Sequence, residues 1–162
     1  MAAYFLYIHL KNRYMGLLDN YGKGPHNLGM TPRPNFEHQL LISKIIRNLS
    51  RLDKKNSLLI MPETRVTDKR KQEYAPDVVI YRKQDYEAGS YNPLIIIEIE
   101  RTRRIKSNIT KVKEIYKLVP ELKESFIYDY EANVWYLVIN TGEVFKSSNS
   151  LVLSIDLNKL VV

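Results

Sequence analysis

Between residues 35 and 53 the apolar side chains Phe36, Leu40, Leu41, Ile45, Ile46, Leu49 and Leu52 recur at helical spacing. That period predicts an amphipathic helix, entered through Thr31-Pro32-Arg33-Pro34-Asn35. The pattern then shortens. Ser57 to Val66 reads as a strand, apolar at first and then carrying Glu63 and Arg65, and the charged residues 67 to 74 read as a hairpin loop. Asp77 to Arg82 is a second strand, and residues 83 to 92 are a polar loop with Gly89 and Asn92. Leu94 to Arg101 is the third strand and the most apolar. Behind it a helix begins, capped by Ser107 or Asn108, with Ile109, Val112, Tyr116 and Val119 on one face, and Pro120 stops it. Ser125 to Tyr130 and Val134 to Ile139 follow as strands around a turn at Glu131 to Asn133. Asn140-Thr141-Gly142 marks a tight turn, and Glu143 to Phe145 and Leu151 to Leu157 are expected as edge strands. Residues 1 to 30 carry the weakest pattern. Tyr4 to Leu10 suits either a strand or the start of a helix, and Gly22, Gly24, Pro25 and Gly29 mark a loop.

The element order is α-β-β-β-α-β-β. A third strand, a helix and a fourth strand form a crossover, which implies a mixed sheet with helices on its faces. The fold class is α/β. A length of 162 residues suits one domain spanning 1–162, with 1–30 as an N-terminal extension, 35–140 as the core and 141–162 as peripheral strands.

The third strand also carries the candidate chemistry. Its run Leu94-Ile95-Ile96-Ile97 should be buried, yet it continues into Glu98-Ile99-Glu100. Side chains two apart on a strand share a face, so Glu98 and Glu100 project together from a core element. An unpaired buried carboxylate costs several kcal/mol, so something nearby is expected to compensate the pair. Upstream, Pro76-Asp77 opens another apolar strand. Asp77, Glu98 and Glu100 together have the character of a divalent-metal site.

The net charge of +7 favours an anionic partner. Arg101, Arg103, Arg104 and Lys106 follow the paired glutamates directly, which places positive charge beside the acids and suits phosphate. The absence of cysteine excludes disulfides, zinc–thiolate sites and thiol catalysis. His9, His26 and His38 lack metal-ligand spacing, so no zinc site is expected. Neither a G-x-x-x-x-G-K-[ST] loop nor a G-x-S-x-G elbow occurs. No segment reaches the roughly 18 apolar residues of a spanning helix, and a soluble, cytoplasmic protein without membrane association is expected. Tyr116, Tyr128, Tyr136 and Trp135 read as packing residues.

This succession resembles the PD-(D/E)XK nuclease superfamily, and in particular the restriction-endonuclease-like proteins abundant in cyanobacteria. The matching residues are Pro76-Asp77-Val78-Val79-Ile80, Ile97-Glu98-Ile99-Glu100 and the helix Lys111-Val112-Lys113-Glu114-Ile115-Tyr116, and the resemblance spans residues 35 to 140. It implies a restriction-endonuclease-like fold with Asp77, Glu98 and the backbone carbonyl of Ile99 as ligands to Mg2+, for which Mn2+ can substitute. The superfamily pattern has lysine where this chain has Glu100. Lys113 on the following helix is the candidate replacement, with Lys106 and Lys111 as rivals. Glu100 would then bind a second metal or act as a base, and Glu37 corresponds to an accessory acid on the first helix. Arg101, Arg103, Arg104 and Lys106 would contact nucleic acid. The implied activity is Mg2+-dependent hydrolysis of DNA phosphodiesters, in restriction, repair or mobile-element processing, and cleavage of both strands would favour a homodimer. The alternative is a catalytically degenerate nuclease fold serving as a nucleic-acid-binding or assembly subunit.

Overall fold

In the computed structural model, which describes residues 36–67 and 74–162, the first helix, α1, runs from Phe36 to Leu52. It buries Ile42, Ile45 and Leu49. The expectations for residues 1–30, for the helix entry at 31–35 and for the tip of the 67–74 loop fall outside the described residues.

Six strands form one sheet in the order β1 (Leu58–Pro62), β2 (Val78–Arg82), β3 (Ile95–Glu100), β4 (Glu124–Asp129), β5 (Val134–Val138) and β6 (Val144–Lys146). Only β3 and β4 pair in parallel, joined through α3 (Ile105–Leu118), and every other neighbouring pair is antiparallel. The expected α/β class, mixed sheet and crossover are all present.

Alternation divides the sheet's apolar residues between two faces. Val78, Ile80, Ile95, Ile97, Ile99 and Phe126 pack with α1 on one side. Val79, Tyr81, Ile96 and Ile127 pack with Ile105, Val112, Ile115 and Tyr116 of α3 on the other. β3 is covered on both faces, which accounts for its uninterrupted isoleucines.

Four expectations are corrected. The first strand stops at Pro62: Glu63 adopts φ 43° and breaks the regular pairing, leaving the single bonds of Glu63 N–H to Asp77 and Val66 N–H to Tyr74 beyond it. The polar segment 83–92 holds a short helix, α2 (Lys83–Glu87). The crossover helix starts earlier than a cap at Ser107 or Asn108 allows, with a 3-10 turn at Thr102–Arg104 leading straight into Ile105.

The fourth correction concerns Leu151 to Leu157, which adds no strand to the sheet. Asn149–Ser150 (β7) and Ile155–Asp156 (β8) make a separate small ribbon before the last helix, α4 (Asn158–Val161). Buried Glu124 explains the tight loop between them. It accepts from the N–H groups of Leu151 at 2.8 Å and Val152 at 3.2 Å and from the Ser150 hydroxyl, holding that backbone in a turn.

Candidate active site

The predicted acids gather at one end of the sheet, where β3 ends and β2 begins. Val78 pairs with Ile97, and continuing that antiparallel register by one residue sets Asp77 opposite Glu98. Asp77 Oδ2 accepts the backbone N–H of Ile99 at 2.7 Å, which ties the carboxylate to the neighbouring strand. Glu98 and Glu100 lie on the α3 side, as the two-residue period requires.

Glu98 is only 2% exposed. Lys111 on α3 brings its ammonium to 2.7 Å from Glu98 Oε1. This ion pair is the contact that compensates the buried oxygen. Burial pushes the Glu98 carboxyl up to about 7; Lys111 opposes the rise, and the negative charges of Asp77 and Glu100 add to it.

The lysine that reaches the acids is therefore Lys111, named at the outset as a rival, and not Lys113. Lys113 lies over the β5–β6 turn, where a Cβ placed on Gly142 would stand 3.7 Å from its Nζ. Helical geometry separates the two lysines. Lys111 falls on the stripe of buried Asn108, Val112 and Ile115, whereas Lys113 points toward the turn.

Glu37 occupies the first turn of α1 but is exposed, and its charge is felt at Arg101. Its neighbour His38 makes the contact expected of the helix, with Nε2 3.1 Å from Asp77 Oδ2. That hydrogen bond raises the His38 pKa above 6.5, burial opposes the rise, and the Ile99 carbonyl and Glu100 reinforce it. Spacing alone gave His38 no role, because its partner lies 39 residues away. Its place in the same turn as Glu37 was the available signal.

The basic residues separate into two groups. Arg101 is engaged within the protein, donating from Nε to the Tyr130 hydroxyl at 2.6 Å with Glu131 Oε1 at 3.7 Å. Arg103, Arg104 and Lys106 are exposed around the start of α3. Asp129, fully buried and paired in register with Glu100, braces this turn and was not anticipated. Its Oδ1 accepts from the Thr102 hydroxyl at 2.9 Å and from Ala132 N–H at 3.1 Å.

An ion here would be held by Asp77, Glu98 and the Ile99 carbonyl. The donors are all oxygen, the set Mg2+ prefers, and Mg2+ takes one or two carboxylates and completes its shell with water. The buried Glu98 carboxylate already draws one cation, the Lys111 ammonium, and an oxygen-preferring ion fits the donor set. Among the described residues no three His, Cys, Asp or Glu side chains form a ready metal cluster, so such an ion would lean on backbone and water. A groove of about 670 Å³ lined by Lys55, Arg82, Lys83 and Leu94 lies at the opposite end of the sheet, remote from these acids.

A mixed six-stranded sheet with the crossover helix behind β3, and acids at the β2–β3 end, defines the restriction-endonuclease-like fold. Comparison with solved structures agrees. The chain is similar to a candidate nuclease belonging to DUF820 from Anabaena variabilis, with a TM-score of 0.60 at 16% identity over 80% of this chain and 83% of the other. At that identity the likeness shows the fold. No family model matches the sequence, and no curated protein matches it. Among the described residues no helix is long and apolar enough to cross a membrane.

Proposed function

We propose that this chain is a Mg2+-dependent nuclease that hydrolyses DNA phosphodiester bonds. One observation carries the reading: Asp77, tied to the Ile99 N–H of β3, lies near enough for its charge to act on buried Glu98, which carries the Lys111 ammonium. The fold shared with a candidate nuclease supports it. A bound Mg2+ would neutralise phosphate charge and make its water more acidic. Asp77 and Glu98 hold it, and Lys111, reaching from α3, supplies the cation that the superfamily pattern carries at the position of Glu100. Lys111 stands beside Glu98, where its ammonium would offset charge on a bound phosphate or orient a water. Exposed Arg103, Arg104 and Lys106 would hold the DNA backbone beside the site, guanidinium groups offering paired donors to phosphate oxygens.

Cleavage of supercoiled plasmid in Mg2+ or Mn2+ tests the proposal. Asp77→Ala, Glu98→Ala and Lys111→Met should each reduce the rate at least about 100-fold, while Lys113→Met should leave it within about 3-fold, because that side chain lies over Gly142. A wild-type protein as silent as the variants in both metals would end the nuclease reading. Salt-sensitive DNA binding retained without cleavage would establish the alternative, a binding subunit on a nuclease fold.

A further inference from the structure

Asp77 stands in a bend just before β2, its carbonyl accepting the Glu63 N–H at 3.1 Å. Two donors converge on one of its oxygens: the Ile99 N–H at 2.7 Å and His38 Nε2 at 3.1 Å. The other oxygen, Oδ1, takes no hydrogen bond from the described residues. His38 is itself well held. Its side chain is 21% exposed, and it rises from the first turn of a helix anchored through Ile42, Ile45 and Leu49. The same ring faces the Ile99 carbonyl.

An imidazole here could serve as a third ligand or as a brace for the ligand beside it. The geometry favours the brace. Nε2 already contacts Asp77 Oδ2, and among the described residues no three such side chains converge into an ion-holding cluster. We propose that His38 is a positioning residue whose Nε2–H fixes Asp77 Oδ2 against β3 and leaves Oδ1 as the oxygen offered to the cation. This rests on the metal-dependent reading of Asp77 and Glu98. A hydrogen-bond partner behind a ligating carboxylate orients it before the ion arrives, and losing such a partner weakens metal affinity about 10–100-fold.

Mn2+ is the probe, followed by its electron paramagnetic resonance in the full-length protein, beside plasmid cleavage as a function of Mn2+ concentration. His38→Ala should weaken Mn2+ binding about 10-fold or more. The concentration for half-maximal cleavage should rise in parallel, while the rate at saturating Mn2+ stays within about 3-fold. His38→Gln, which retains an N–H donor, should recover most of the affinity. His38→Phe, which fills the space without a donor, should behave like the alanine variant and replaces it should that chain not fold. Wild-type Mn2+ affinity in both donor-free variants would overturn the proposal, and so would nitrogen hyperfine coupling that places the imidazole on the ion. A fall in saturated rate at unchanged affinity would also overturn it. These results are distinct from failure of the underlying reading, which would appear as wild-type protein that binds no Mn2+.

Discussion

Glu98 shows how one side chain can set the behaviour of a site. It is 2% exposed, with its carboxyl raised to about 7, mainly by burial. His38 is also raised, by its bond to Asp77. For both groups the folded pKa exceeds the unfolded one, so the folded state binds more protons and stability falls as pH rises. The Glu98 contribution declines from its unfolded value of 4.5 up to about 7, and that of His38 is complete below 6.5 and lost above it. Urea unfolding should therefore give a lower midpoint at pH 8 than at pH 5, and the double variant His38→Gln/Glu98→Gln should flatten that difference. Equal pH slopes in the two proteins would contradict the assignment. Glu98 was legible in the sequence because an acid after four apolar residues conflicts with its surroundings. The choice between Lys111 and Lys113 was not, since it depends on how α3 is rotated against the sheet. Nor was His38, whose partner becomes adjacent only once α1 and β2 have docked.

The helices and the central strands follow from periodicity, and so their costs of disruption can be estimated. Ile45 lies fully buried on α1 within the core cluster of that face. Replacing it by alanine removes three carbons and leaves a cavity, which should cost about 2–5 kcal/mol in denaturant unfolding. A cost below about 1 kcal/mol would mean that α1 is loosely packed against the sheet. α1 also holds the C-terminal segment: Asn48 Nδ2 donates to the Leu160 carbonyl and Lys44 Nζ to that of Val161, each at 2.9 Å. Elements failed to follow their pattern where a distant polar group outweighed it. Leu151 to Leu157 alternates well enough for a strand, but the Glu124 carboxylate claims two of its N–H groups from 27 and 28 residues away. Pro62 and Glu63 end β1 through backbone conformation, which an apolar–polar count does not register.

At the scale of the molecule, a net charge of +7 draws polyanions, and Arg103, Arg104 and Lys106 concentrate that charge on the exposed turn next to the acids. Each phosphate contact contributes about 0.9 to the slope of log affinity against log salt for duplex DNA. Replacing all three residues by alanine should therefore lower that slope by about 2–3 in fluorescence anisotropy titrations over a salt series. An unchanged slope would contradict the proposed role of these residues in DNA binding. The parallel pairing of β3 with β4 carries a further consequence. Because α3 must be threaded between them, the strand bearing Glu98 acquires its parallel neighbour only once residues 124–129 have been made. A nascent chain that ends before that point holds Asp77 and Glu98 on a β3 paired with β2 alone. Chains truncated before residue 124 leave the other edge of β3 unpaired and should unfold at lower urea concentration than the full chain.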